Sequence, residues 1–295
     1  MSDRVLIIPV NDPEAVQIWR IAKAMGLPVI RSRQGHGATL DKEKELLKRV
    51  KASGHKRVVV VEMPGPKAEE SLRRAGFDVV IIDHHEYTGL DRARNPKTGR
   101  RLRSSLEQFR SLFRITDKKL KALGFDPRLV RAIGIQDRGY VWALLKEGYA
   151  WKDIRGIFEH MDRLMDEVRD PGKEQEKMAQ AQRAWDKREA WNGYFIVHGD
   201  GTGNLRVRLS RIAALAMRKP TPIIVVEADR GFIYVQESDA AEKLFNRFGG
   251  FTFGMGRAWG HKNSGTKHPV TLEMVQAFLA EHSPDALRGR GPDFQ

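Results

Sequence analysis

The sequence contains no cysteine and no long apolar run, and each absence narrows what the protein can be. The lack of cysteine excludes disulfide bonds and thiolate metal sites and suits a reducing cytoplasm. No stretch reaches the roughly 18 apolar residues of a membrane span, so we expect neither a transmembrane helix nor a membrane partner. Residues 1–4 lead straight into an apolar run without the pattern of a signal peptide. We therefore expect a cytoplasmic protein.

Positive charge is the dominant feature of the composition. The formal net charge is +14, and the sequence pI is near 10.0. Hydrophobic residues make up 41% of the 295 residues, which is enough for a globular chain with two domain cores. A protein this basic is expected to bind polyanions, with nucleic acid as the leading candidate. Adaptation to heat is an alternative origin of a charge-rich, cysteine-free composition.

Short apolar runs alternate with helix-like stretches in the first part of the chain. Residues 5–8, Arg57–Val61 and residues 79–82 are rich in valine, isoleucine and leucine, which is typical of buried strands. Helical patterns follow at residues 14–25 and 67–75. This alternation indicates βαβ units and therefore predicts an α/β fold with a parallel sheet.

Acidic residues and histidines follow the ends of these predicted strands. Asp12 and Glu14 follow the first strand, Glu62 follows the second, and Asp83-His84-His85 follows the third. Asp137 comes directly after another apolar stretch. Because the carboxyl ends of parallel strands share one edge of a sheet, we expect these groups to converge. Carboxylate and imidazole are donors for Mn²⁺, Fe²⁺ or Zn²⁺. The alternative is a set of ordinary helix caps and surface histidines.

With these motifs the chain resembles the DHH phosphoesterase superfamily, which includes RecJ-type exonucleases, nanoRNases, cyclic-dinucleotide phosphodiesterases and inorganic pyrophosphatases. The third motif is intact as Asp83-His84-His85, and Asp137 matches the fourth. Residues 10–14 and Glu62 match the first and second motifs by position. Near the C-terminus, residues 259–265 resemble the glycine-histidine motif of the family's small second domain. The resemblance covers most of the chain and implies a metal-dependent phosphodiesterase.

The resemblance also implies which residues bind metal. The family holds two Mn²⁺ ions, and here Mn²⁺ or Mg²⁺ would be bound by Asp12, Glu14, Glu62, Asp83, His84 and Asp137. One site keeps four donors, whereas the other keeps two because Val10 replaces a histidine. We therefore expect one well-formed site and a second that is weak or empty. The resemblance assigns catalytic roles to the Asp83-His84-His85 motif. Loss of donors also leaves a protein that binds nucleic acid or a partner without turnover as the alternative.

Cationic residues near these motifs are candidates for substrate binding. Residues 92–103 contain six of them in a segment with proline and glycine, which predicts a loop beside the acidic centre. A loop whose charge serves solubility is the alternative. In the second half, glycines, cations and aromatic residues around His261 predict contacts to phosphates and bases. The predicted substrate-binding residues are Arg100, Arg101, Arg103, Arg138, Arg257, Gly260, His261, Lys262 and Asn263, with Phe251, Phe253 and Trp259 as possible stacking surfaces.

Breaks in the pattern predict the organisation of the chain. We expect a metal-binding domain at residues 1–170, a helical linker at 171–192, a smaller mixed α/β domain at 193–283 and a flexible tail at 284–295. The favoured function is hydrolysis of phosphodiester bonds in single-stranded nucleic acid or short oligonucleotides. A homo-oligomer is compatible with the sequence.

Overall fold

A computed structural model describes residues 3–35, 37–87, 90–201 and 203–282. The chain divides into two compact units, Met1–Arg169 and Asp170–Gln295, and each is described by itself. The predicted tail at 284–295 lies outside the described residues. No helix in the described part of the chain has the length and apolar character needed to cross a bilayer.

The first unit alternates strands and helices before ending in a run of helices. Its elements are β1 Arg4–Pro9, α1 Pro13–Ala24, β2 Val29–Ser32, α2 Leu46–Ala52, β3 Arg57–Val61, α3 Pro66–Arg74, β4 Asp78–Ile82, β5 Glu86–Tyr87, β6 Leu90–Asp91, α4 Ser105–Leu112, α5 Asp117–Ala122, α6 Pro127–Lys146 and α7 Trp151–Met165. Helix α1 packs against α4, α6 and α7.

Four parallel strands form the sheet of this unit, in the order β2-β1-β3-β4. The central strands β1 and β3 are buried over almost their whole length, which explains their unbroken apolar runs. The edge strand β2 is half exposed and includes a charged and a polar residue, so the sequence pattern alone does not indicate it. The predicted α/β fold with a parallel sheet is confirmed.

The second unit is built around a mixed sheet. Its elements are α8 Pro171–Asp186, β7 Glu189–Trp191, β8 Tyr194–His198, α9 Arg206–Met217, β9 Ile223–Glu227, β10 Phe232–Gln236, α10 Ala241–Phe248, β11 Phe251–Phe253, β12 Ala258–Lys262 and α11 Leu272–His282. The strand order is β11-β12-β10-β9-β8-β7, with β8 and β9 parallel and the other neighbours antiparallel. This agrees with the smaller mixed domain predicted from the sequence.

The helix predicted as a linker is present as α8, and it packs within the second unit. Ala181, Ala184 and Trp185 on α8 are buried in a core cluster with residues of α9, β9 and β10. The helix ends at Asp186, and the rest of the predicted linker includes strand β7. The mixed sheet has a core cluster on each face, because successive side chains of a strand point to opposite sides. Tyr234 of β10 belongs to the cluster that contains α8, whereas the neighbouring Ile233 and Val235 belong to the other cluster.

Candidate metal centre

The start of α1 places an acidic side chain inside the first unit. Asp12 caps the helix, with its Oδ1 accepting a hydrogen bond from the Ala15 N–H at 2.8 Å, and Pro13 occupies the first turn. Glu14 is only 1% exposed. Its Oε1 accepts from the Leu106 N–H at 3.0 Å, at the N-terminus of α4. The capped turn therefore aims the other oxygen of Glu14 away from α4.

The backbone at Glu62 is strained. This residue follows β3 with φ 49°, in the left-handed region that costs a non-glycine residue about 1 kcal/mol or more. The strand pairing continues through it, because its N–H donates to the Ile82 carbonyl at 2.9 Å. Strain of this kind persists where the surroundings hold the residue in place, and it concentrates at functional sites.

Asp83 organises the turn that carries the two histidines. Its Oδ1 accepts from the backbone N–H groups of His84 at 2.8 Å and His85 at 3.1 Å, and it lies 2.9 Å from the His85 Nδ1. Tyr87 donates its hydroxyl to Oδ2 at 3.0 Å, and Gln108 Nε2 donates to the Asp83 carbonyl at 2.8 Å. Both carboxylate oxygens of Asp83 therefore have partners within the chain.

Three carboxylates converge on the Nε2 of His84. The distances are 2.8 Å to Asp137 Oδ2, 3.4 Å to Glu62 Oε1 and 3.6 Å to Glu14 Oε2. Asp137 comes from α6, two residues before the helix kinks at Gly139. The His84 side chain is 7% exposed, whereas Asp137 is 25% exposed and forms the more open side of the group.

The convergent atoms fit a divalent cation. Glu14 Oε2, Glu62 Oε1 and His84 Nε2 are buried, yet none has a hydrogen bond of acceptable geometry. Buried polar groups without partners are costly, so such atoms are expected to bind an ion or water. Single donor atoms of Glu62, His84, His85 and Asp137 lie within 4.8 Å of one another. Several carboxylates with imidazole form a donor set suited to Mn²⁺.

Electrostatics also favour a cation at this place. Burial raises the pKa of the Glu14 carboxyl, and repulsion from Asp137 and Glu62 adds to it. Burial likewise raises the pKa of Asp12. Burial alone would lower the pKa of the His84 imidazole, but the surrounding carboxylates outweigh it and raise that pKa well above its ordinary value. The raised pKa values favour protons on Glu14 and His84 when no metal is bound, whereas the neighbouring histidines lower the pKa of Glu62 in spite of its burial, and a cation would displace the protons.

The donors expected for another metal are fewer. Val10 offers no ligand, and one oxygen of Asp12 already caps α1. Among the described residues, the group of donor atoms within 4.8 Å of one another contains neither Asp12 nor Glu14, but the Glu14 Oε2 lies 3.6 Å from the His84 Nε2.

Residues that support the cluster were not evident as functional residues in the sequence. Ser104 and Glu107 form a capping box that starts α4, and this directs the Leu106 N–H at Glu14. A Cβ atom at Gly134 of α6 would lie 2.5 Å from the Ser104 Oγ, so a larger residue there would displace the hydroxyl that caps α4. The Ser-x-x-Glu spacing is a signal for the helix start, but nothing in it identifies Glu14 as the partner.

The arginine-rich segment is partly engaged in ion pairs. Arg92 contacts both oxygens of buried Glu69, and Arg94 and Arg101 pair with Glu86. Lys97, Arg100 and Arg103 are exposed, and no ion pair of theirs is found among the described residues. Arg138, beside Asp137, is half buried. Part of this charge therefore stabilises the segment, and the remainder faces solvent.

In the second unit, the predicted stacking residue Trp259 is a core residue. Its side chain is fully buried, and its Nε1–H donates to the Gly249 carbonyl at 2.7 Å. The prediction that Trp259 stacks on bases is therefore wrong, because β12 turns this side chain into the core. Phe251 is 39% exposed and remains available for such contacts.

The predicted substrate contacts around His261 have structural partners. His261 Nδ1 lies 2.8 Å from Asn263 Oδ1, and Asn263 also accepts from the Val270 N–H. Arg257 pairs with Glu237 and Asp239. Lys262 is exposed. At Gly260, a Cβ atom would lie 2.6 Å from the Tyr234 ring, so this glycine lets neighbouring aromatic rings pack.

No family model matches the sequence. A search of curated proteins also finds no match. Among solved structures, the exonuclease RecJ bound to manganese is similar, with a TM-score of 0.47, 16% sequence identity and coverage of 97% of this chain and 92% of that chain. The DHH domain of a member of a ribosomal-protein family has a TM-score of 0.43 and 15% identity, with coverage of 81% of this chain and 74% of that chain. A pGpG-specific phosphodiesterase from Vibrio cholerae has a TM-score of 0.42 and 12% identity, with coverage of 94% of this chain and 96% of that chain. The Asp83-His84-His85 motif of this chain directly follows strand β4.

Proposed function

We propose that this chain is a metal-dependent phosphodiesterase that cleaves single-stranded nucleic acid or short oligonucleotides. The observation that carries the proposal is the convergence of the buried atoms Glu14 Oε2, Glu62 Oε1 and His84 Nε2 beside Asp137, with no hydrogen bond of acceptable geometry to satisfy any of the three. Such a set is costly in a folded protein unless protons, water or a bound cation satisfy it, and the number of carboxylates favours a cation. A bound Mn²⁺ would lower the pKa of a water molecule and neutralise charge on the phosphate.

His85 is suited to act on the substrate. Its side chain is 46% exposed, and its Nδ1 lies 2.9 Å from Asp83 Oδ1, which leaves Nε2 for another partner. Burial alone would lower the pKa of the His85 imidazole, but the carboxylates of Asp83 and Glu62 have the larger combined effect, so that pKa is raised. An imidazolium held in this way can donate a proton to a phosphate oxygen or to the departing oxygen.

Nucleic acid as substrate is supported by charge. The chain carries a net charge of +14, and exposed Arg100 and Arg103 lie in the same unit as the cluster. Cations of this kind attract a phosphate backbone by releasing its counterions. A substrate as small as pyrophosphate would not require this excess of positive charge.

Binding without turnover is the second candidate. It is favoured by Val10, which offers no donor, and by the role of Asp12 as a helix cap. A single metal would then satisfy the buried cluster, and the protein would hold a strand without cleaving it.

The test is metal analysis of the purified full-length chain, followed by incubation with a labelled short single strand and Mn²⁺. The proposal expects bound metal at near-equal stoichiometry and shortened products that disappear when EDTA is added. Binding of both metal and strand without product over extended incubation would instead support the second candidate. Absence of metal binding would contradict both.

Removing Arg100, Arg101 and Arg103 together by substitution with alanine is expected to weaken strand binding and its dependence on salt. Each phosphate neutralised on a single strand contributes about −0.7 to the slope of log affinity against log salt. The slope should therefore flatten by up to about 2, and by less if Arg101 remains engaged with Glu86.

Fluorescence anisotropy across a salt series measures this slope. A matched control removes Lys118, Lys119 and Lys121 from α5, which changes the net charge equally. Equal slopes in the wild type and the arginine variant would show that the segment does not bind the strand.

A further inference from the structure

A cavity lined by arginines lies at the carboxyl ends of β1 and β2, within the first unit. Its volume is about 930 Å³, which is large enough for a nucleotide. We name it the arginine cavity after Arg31, Arg33, Arg49 and Arg169. None of the described residues that line it is acidic. Guanidinium groups grouped in this way are suited to bind phosphate, because their planar forks match its oxygens.

A buried carboxylate behind the lining shapes the cavity. Glu43 accepts hydrogen bonds from Ser32 Oγ at 2.7 Å and from Gln34 Nε2 at 2.8 Å, and it pairs with Arg49. Burial would raise the pKa of Glu43, but these partners outweigh it and lower that pKa. Arg49 also donates to the Arg31 carbonyl at 2.7 Å. The loop after β2 is therefore held in place, and much of the Arg49 charge is balanced by Glu43.

Two of the other arginines have contacts that hold their side chains in place. The Arg31 guanidinium carbon lies 4.5 Å from the centre of the Trp19 ring, a cation–π contact. Arg169 donates to the Asn11 carbonyl at 2.5 Å. Arg33 is exposed, and no ion pair of Arg33 is found in the described part of the chain. At Arg33, therefore, the cavity keeps a positive charge that no ion pair among the described residues balances.

The arginine cavity lies at the same end of the parallel sheet as the carboxylate cluster. Strand β1 lies between β2 and β3. The lining residue Asn11 follows β1 and precedes Asp12, and Glu62 directly follows β3. Val10 also lines the cavity, at the position where the family resemblance implies a histidine ligand. Positive charge is therefore present on the side of the cluster where metal donors are missing.

We propose that the arginine cavity binds a phosphate group of the substrate strand next to the bond that is cleaved. Arginine charge there supplies part of the neutralisation for which a second metal lacks ligands. This inference rests on the proposed function for its choice of substrate. The binding step itself is separable, since it needs neither the metal nor turnover.

The experiment compares Arg33→Glu with Arg155→Glu, a matched charge reversal at an exposed position on α7. Binding of a fluorescein-labelled, 5′-phosphorylated single strand is measured by anisotropy in EDTA, and Mn²⁺ affinity is measured by calorimetry. We expect Arg33→Glu to weaken strand binding about tenfold or more beyond the control, because a charge-assisted contact becomes a repulsion. Mn²⁺ affinity should stay within about twofold of the wild type.

Arg33→Ala provides a milder variant and should show a smaller loss in the same direction if Arg33→Glu does not fold. Strand binding equal to that of the Arg155→Glu control would overturn the proposal, whatever the activity. If Arg33→Glu loses strand binding and the wild-type protein shows no turnover, the assignment of the cavity as a phosphate site stands and the proposed hydrolysis is wrong. The two conclusions can therefore fail independently.

Discussion

Substitution of His84 by alanine is expected to abolish Mn²⁺ binding and turnover together. Its Nε2 is the atom on which the oxygens of Asp137, Glu62 and Glu14 converge, and it is the central nitrogen donor of the cluster. Without the imidazole, the buried carboxylates of Glu14, Glu62 and Asp137 would repel one another with no positive charge between them. The metal would also lose its central nitrogen ligand. Calorimetry with Mn²⁺ and a strand-cleavage assay measure the two effects.

The matched control is His268→Ala, which removes an exposed histidine from the second unit. It should leave metal binding and turnover unchanged. His85→Gln should lower turnover more than Mn²⁺ affinity, because the His85 Nδ1 already lies 2.9 Å from Asp83 Oδ1 and Glu62, His84 and Asp137 remain as donors. Turnover retained in His84→Ala, with a normal circular dichroism spectrum, would place the reaction elsewhere in the molecule.

Mn²⁺ affinity is expected to rise steeply with pH. Burial raises the pKa of Glu14, and the neighbouring carboxylates raise the pKa of His84, so both hold protons in the metal-free protein. A metal ion requires the ionised carboxylate and the neutral imidazole, so binding releases these protons. Each proton displaced makes the dissociation constant about tenfold smaller for every unit increase in pH.

Calorimetric titrations in buffers of different ionisation enthalpy count the released protons directly. We expect between about one and two per Mn²⁺ bound near neutral pH. Glu14→Gln removes a titrating group and should reduce the count, whereas Glu147→Gln, an exposed change at the end of α6, should not. An affinity that is flat between about pH 6 and about pH 8, or that falls as pH rises, would contradict the assignment of these groups as ligands.

The order of apolar runs was sufficient to predict the parallel sheet. Central strands of such a sheet are covered on both faces, so β1 and β3 consist of nearly continuous apolar residues. The edge strand β2 escaped detection because an edge need not be apolar, and its half-exposed sequence contains Arg31. For the same reason the arginine cavity beside β2 could not be foreseen.

The sequence identifies Glu14, Glu62, His84 and Asp137 as candidate ligands, but it does not show the contacts that orient them. Residue type and position after a strand are local properties, which a single sequence shows. The left-handed backbone at Glu62 depends on pairing with β4, and the burial of Glu14 depends on the N-terminus of α4, more than ninety residues later. Contacts at such separations leave no pattern in a single sequence.

In the second unit, the position of Trp259 likewise depends on contacts that the sequence does not show. Its glycine-rich, basic surroundings indicated a nucleic-acid surface, since exposed aromatic residues among cations are typical of one. Which face of β12 a residue occupies depends on strand pairing, and the register with β10 turns Trp259 into the core. The sequence by itself determined the α/β architecture, the net positive charge and the types of donor available, because these follow from composition and local periodicity. Only the tertiary structure decided which side chains meet at His84 and which arginines are balanced by carboxylates, because these depend on distances between elements far apart in the chain.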